Sequence, residues 1–198
     1  QIAGREWMVV VGDVTGKGIS AALVTAFVRH TIRDLAMRVG DPSDLLHELN
    51  DALLAHDTER FCTVVVAKLC DEGGEWTVTG SVGGHPLPLL RHADGSVAEL
   101  GRHGSLVGVI SEPTFSTFEH RLVDDLLLLY TDGVIEARHE RTLFGQERLE
   151  AILTSSAHDP DVVTSTVVEA VLDFQEGDAR DDIAVLTFAC DVTRPTAG

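Results

Sequence analysis

The sequence predicts an α+β domain of antiparallel sheets covered by helices, and three observations predict it. Two helical patterns stand side by side near the start of the chain and two more near its end, with a run of short β-like segments between them. Helices in pairs and strands in runs argue against alternating βαβ units, and so against a doubly wound nucleotide fold. At 198 residues, 44% apolar and only 5% aromatic, the chain is long enough for one domain with a substantial core of Ala, Val and Leu.

Each element has its own signal. "WMVVVG" (7–12) reads as a buried strand ending in a glycine turn. From Lys17 the period turns helical: Ile19, Ala22, Leu23, Ala26, Phe27 and His30 follow helical spacing to about Val39, before Gly40 stops the pattern. "DPSDLLHELNDALLAH" predicts a second helix, with Asp41 as N-cap, Pro42 in the first position and Leu45, Leu46, Leu49 and Leu53 on one face. The short strands "FCTVVVAKL", "EWTVTGSV", "LPLLRH", "SVAEL", "TFSTFEHRL" and "LLLLYT" follow, divided by turn signals such as "DEGG" and "ADGS". Helical patterns near 147–153 and 162–174 precede a last strand, "IAVLTFAC". No repeat or linker interrupts the chain, so residues 1–190 are expected to form one domain and 191–198 a frayed tail.

The formal charge of −17 disfavours nucleic acid and anionic membrane surfaces, and it suits a protein that collects divalent cations. Cys62, Cys70 and Cys190 form no C-x-x-C pair and are odd in number, which predicts free thiols in a reducing cytoplasm. No stretch approaches the ~20 apolar residues needed to span a bilayer. The chain starts at Gln1 without Met, and it is expected to be a piece of a longer protein.

"GDVTGKG" (12–18) is one residue short of a phosphate-binding P-loop, and it carries an acidic Asp13 where backbone N–H groups would cradle phosphate. Two other acidic sites share its context. Asp132 follows "LLLLYT", and Asp181 and Asp182 precede "IAVLTF". Asp beside Gly is common turn chemistry, and an acidic pair before a strand can be a cap. Three carboxylate sites at the ends of apolar strands instead suggest oxygen ligands gathered around hard divalent cations, since unneutralised carboxylates repel.

"GDVTGKG", "GGHPLPLL", "LLLLYTDGVIEAR" and "RDDIAVLTF", in this order, resemble the motifs of the SpoIIE/RsbU branch of the metal-dependent (PPM, type 2C) serine/threonine phosphatases. The resemblance runs from about residue 9 to 188. It implies an αββα sandwich of two antiparallel sheets flanked by helix pairs, with two Mn²⁺ or Mg²⁺ ions at one edge. Asp13 would bridge the ions, the Val14 backbone carbonyl would complete a ligand set, and Asp132 and Asp181 would bind one ion. Asp182 is the alternative to Asp181. A metal-activated water would attack the phosphoester, without a protein nucleophile.

His85 of "GGHP" stands at the family's "AGH" element, either near the leaving group or as a structural turn residue. Lys17 is a phosphate-attracting group or plain solvent-facing charge, and Glu136 a neighbour of the metal ligands or a helix-starting residue. Family members also carry a "GGDxxD"-type motif on a preceding strand. The residues "QIAGRE" before Trp7 contain none, so the expectation is that the strand carrying this motif lies upstream of Gln1, the alternative being that the protein lacks this ligand.

The function implied is dephosphorylation of a phosphorylated STAS-type anti-sigma-factor antagonist in bacterial partner switching. An upstream sensor domain and a second copy of the chain, packing on the first helix pair, are the other implied partners. A catalytically silent regulatory binding domain is the alternative. A nucleotide phosphodiesterase is disfavoured by the lack of a base-stacking aromatic cluster.

Overall fold

The structure, a computed structural model, describes residues 1–56, 59–176 and 182–190. In chain order the elements begin with β1 (Glu6–Val14), α1 (Ile19–Leu35), α2 (Pro42–Ala55), β2 (Cys62–Asp71) and β3 (Trp76–Gly83). Next come β4 (Leu89–Arg91), β5 (Val97–Glu99), β6 (Thr117–Leu122), β7 (Leu126–Tyr130) and α3 (Asp132–Ile135). The chain then forms β8 (Arg138–His139), β9 (Thr142–Leu143), α4 (Gln146–Ser155), α5 (Pro160–Phe174) and β10 (Val185–Ala189). The class is α+β, and every strand pair with a recorded register is antiparallel. Two compact units are present: Gln1–Leu87 with Gly101–Arg121, and Pro88–Leu100 with the described residues from Leu122 onward.

The first unit holds a sheet of order β1-β2-β3-β6. β2 is buried on both faces, which is why "CTVVVAKL" reads as a continuous apolar run rather than an alternation. Its Val64 and Val66 pack in one cluster with Val24, Val28, Ile32 and Leu35 of α1 and with Leu45, Leu46, Leu49 and Leu53 of α2. The α2 face is the one the leucine spacing predicts, and burying each leucine stabilises by about 1.5–3 kcal/mol. Asp41 caps α2 as expected, accepting from Ser43 N at 2.8 Å and Asp44 N at 3.3 Å.

The α1 face differs from the expected one. Ala21, Val24, Val28, Ile32 and Leu35 are buried, whereas Ile19 is 83% and Leu23 66% exposed. Both stripes fit a 3.6-residue period, so spacing alone could not choose between them. The helix is also shorter than 17–39: Gly18 is its N-cap, and beyond Leu35 the bonds from Met37 N to Asp34 O and from Arg38 N to Leu35 O tighten into turns.

The second unit holds a sheet of order β10-β7-β4-β5, and β7, "LLLLY", is buried throughout. Leu126, Leu128 and Tyr130 join Leu149 and Leu153 of α4 and Val163, Val167 and Val171 of α5 in its core. α5 starts two residues before the expected position because Asp159 and Pro160 repeat the Asp–Pro cap of α2. α3 and the β8–β9 pair were not expected, being too short to carry a period.

The expected tail, 191–198, lies outside the described residues. All three cysteines are free, with Cys62 and Cys190 buried. Among the described residues no helix is long and apolar enough to cross a membrane.

Candidate metal-binding loops

In the first unit, the β1–β2 register sets Asp13 opposite Thr63 and Val14 opposite Cys62. Gly12 is needed here, because a Cβ on it would lie 2.5 Å from the Thr63 carbonyl oxygen. Asp13 is exposed and Val14 buried at the point where the strand leaves the sheet. With Gly12, Cys62 and Thr63 they line a groove of about 760 Å³ that runs along α1 to Arg29 and Arg33.

The direction of the Val14 carbonyl follows from the ladder. Thr15 N donates to Phe61 O at 3.0 Å, which turns that N–H toward the chain entering β2. Across a planar trans peptide the carbonyl of the preceding residue points the opposite way. The next pair agrees: Cys62 exchanges both backbone bonds with Val107, at 3.0 and 3.1 Å, and so turns its polar groups away from β1. Its partner Val14 must then turn its own away from β2. Among the described residues β1 is the edge of its sheet, so the Val14 carbonyl faces an unpaired edge beside Asp13.

His85 is buried, and its Nδ1 lies 2.9 Å from the hydroxyl of Thr63, the residue opposite Asp13. The imidazole is therefore tied to the strand beside the Asp13 site. Lys17 is exposed on the loop. Burial, and then the Asp13 charge, push the Cys62 thiol up to about 12, which keeps it protonated. The donors on this loop are a carboxylate and a carbonyl, hard oxygen ligands that suit Mn²⁺ or Mg²⁺ better than a soft metal.

In the second unit Asp132 is half-buried at the start of the single-turn α3, directly after β7. Thr131, 4% exposed, fastens this strand end to the segment entering β10. Its hydroxyl donates to Asp182 O at 2.9 Å and accepts from Ala184 N at 3.0 Å, while its N–H donates to Ala184 O at 3.1 Å. Asp132 and Asp182 are thereby held on adjoining segments. Asp182 is exposed, and Asp181 lies outside the described residues. Glu136 is exposed at the C-cap of α3, so it does not start a helix as one reading of it had it.

Sequence reasoning missed Thr63, Thr131 and Arg60. The Thr in "YTDG" and the Arg before "FCT" carry no signal by themselves, because their partners are 22 to 53 residues away.

The sequence model of the family described as Stage II sporulation protein E (SpoIIE) matches residues 3–191. Phosphoserine phosphatase RsbU of Bacillus subtilis is 25% identical over 184 residues, covering 90% of this chain and 54% of the relative. Phosphoserine phosphatase RsbP of the same organism is 25% identical over 174 residues, covering 80% of this chain and 43% of the relative. The chain thus spans about half the length of these curated relatives.

The solved SiaA-PP2C domain of Pseudomonas aeruginosa superposes with a TM-score of 0.81 at 23% identity, covering 96% of this chain and 78% of that one. The RsbU and RsbW domains of Rv1364c from Mycobacterium tuberculosis give 0.73 at 26% identity, covering 93% and 51%. The fold is that of PP2C phosphatase domains.

Proposed function

Since the chain belongs to the Stage II sporulation protein E family, we propose that residues 1–190 form a metal-dependent phosphatase domain acting on phosphoserine or phosphothreonine in a protein. Asp13, the Val14 carbonyl, Asp132 and Asp181 would hold two Mn²⁺ or Mg²⁺ ions, with Asp182 as the alternative to Asp181. The observation that carries the reading is the outward turn of the Val14 carbonyl beside the Asp13 carboxylate, at the end of an edge strand. Bound ions of this kind supply activation of water and neutralisation of phosphoryl charge.

The chain's own residues do the positioning. β7, buried throughout, and β1, a mostly half-buried edge strand exposed at Val10, Gly12 and Asp13, deliver Asp132 and Asp13 at their ends. Thr131 holds the Asp132 loop against the segment of Asp182. Thr63 orients the His85 ring, which in this reading sits near the leaving oxygen and manages its proton.

The substrate in this reading is a phosphorylated STAS-type anti-sigma-factor antagonist in the bacterial cytoplasm. The phosphoserine phosphatases RsbU and RsbP among the relatives support it, as does the joining of RsbU and RsbW domains in one solved protein. An upstream sensor domain and a second copy of the chain are the further partners proposed.

The test is hydrolysis of a phosphoserine peptide and of a small aryl phosphate with Mn²⁺, with Mg²⁺ and with EDTA. Turnover is expected only with added metal. Turnover that persists in EDTA would sink the metal-dependent mechanism, and none under any condition would leave a silent binding domain.

A further inference from the structure

We propose that Arg60 is a positioning residue that locks the peptide between Thr15 and Gly16 and so holds the Val14 carbonyl in its outward direction; the proposal rests on the phosphatase reading above. Arg60 Nη1 donates to the Thr15 carbonyl and Nη2 to Ser20 Oγ at 2.7 Å. The other polar groups of Thr15 go to the adjacent residue. Its N–H and its hydroxyl each donate to Phe61 O at 3.0 Å, and the hydroxyl accepts from Phe61 N at 3.2 Å. Residues 60 and 61 therefore hold the N–H, hydroxyl and carbonyl of Thr15 together. The two peptide planes flanking Thr15 are fixed, and the Val14 carbonyl belongs to the first of them.

Gly16 makes this pin both accessible and necessary. It sits at φ +95°, and a Cβ there would overlap the Arg60 guanidinium. The same freedom lets the Thr15–Gly16 peptide rotate once its carbonyl loses the cation. Ser20 lies in the first turn of α1, so the second arm of the guanidinium ties the start of that helix to the loop. A planar fork can serve two acceptors in different directions at once, whereas a lysine ammonium on a flexible stem cannot hold both in one geometry. A misplacement of about 1 Å in a positioned group can cost about a hundredfold in rate, so a small rotation here matters.

The experiment compares the whole chain with Arg60→Met, Arg60→Lys and Ser20→Ala. Mn²⁺ affinity is measured by calorimetry, melting temperature in EDTA, and kcat and KM on an aryl phosphate. Arg60→Met is expected to weaken Mn²⁺ binding about tenfold or more and to lower kcat, with KM and the EDTA melting temperature little changed. Millimolar guanidinium ion is expected to restore part of the Mn²⁺ affinity to Arg60→Met, and Arg60→Lys to recover little.

Wild-type protein that binds Mn²⁺ beside an Arg60→Met variant of equal affinity overturns the role of Arg60 alone. Wild-type protein that binds no Mn²⁺ overturns the phosphatase reading, and this inference with it. Should Arg60→Met fail to fold, Ser20→Ala decides: a few-fold loss of Mn²⁺ affinity is expected, and none overturns the proposal.

Discussion

The Thr131 hydroxyl donates to the carbonyl oxygen of Asp182 at 2.9 Å, joining two segments 51 residues apart. It also accepts from Ala184 N at 3.0 Å, so both lone-pair and proton are used in a buried position. Thr131→Val keeps the shape and removes both bonds. It is expected to cost about 0.5–1.5 kcal/mol for each of the two part-buried bonds lost. Urea unfolding in EDTA measures this, and Thr131→Ser is expected to retain most of the stability. Equal stability of Thr131→Val and wild type would dissolve the argument.

Asp13→Asn and Asp132→Asn are each expected to abolish phosphatase turnover while leaving metal-free stability equal or higher. In the proposed metal site the reason is electrostatic, since carboxylates brought together around a cation would repel one another without it. Activity assays paired with melting curves in EDTA check it. A marked drop in the melting temperature of the metal-free variants would instead assign these residues to capping.

Asp41 gives a pH-dependent prediction. Burial opposes its ionisation, but the Ser43 and Thr117 hydroxyls and the Ser43 and Asp44 N–H groups outweigh burial and hold its carboxyl below the ordinary 3.8. A depressed folded value means that the contribution is present above the unfolded value and is lost as pH falls through the folded one. Asp41→Ala is expected to cost about 0.5–2 kcal/mol at pH 7. The gap between the two proteins should begin to narrow in chemical unfolding as pH falls below the ordinary 3.8 and should close only below the depressed folded value, where the group is protonated in both states.

Asn50 is fully buried in α2, with Nδ2 donating to Ile110 O at 3.0 Å and Oδ1 accepting from Gly108 N at 2.8 Å. Asn50→Ala leaves both loop groups without this partner, at about 1–3 kcal/mol for each one orphaned. Hydrogen exchange at Gly108 should quicken ahead of the α2 core. Unchanged protection there would show that the loop does not depend on Asn50.

Leu23→Glu and Ile19→Glu on the outer stripe of α1 are expected to alter stability by no more than about 0.5 kcal/mol. Val28→Glu on the inner stripe should unfold the first unit, because an unpaired charge would enter its core. Thermal unfolding of the three variants distinguishes the two faces, and comparable losses at all three would overturn the assignment.

The sequence by itself determined the class, the order of the main elements and the Asp41–Pro42 cap of α2, since capping and periodicity act within a few residues; the matching Asp159–Pro160 cap of α5 is as local but went unread. It also determined which residue types stand at the ends of β1 and β7, and through them the resemblance that the family match bears out. The tertiary structure alone decided which stripe of α1 is buried, because two stripes satisfy one helical period and only the facing sheet selects between them. It decided the direction of the Val14 carbonyl as well, since that depends on whether residue 14 falls in a bonded or non-bonded position opposite β2. The clamps of Arg60 on Thr15, Thr131 on Asp182 and Asn50 on Ile110 span 45 to 60 residues. No local pattern announces such partners, because each bond exists only after pairing register has brought distant backbone groups within about 3 Å.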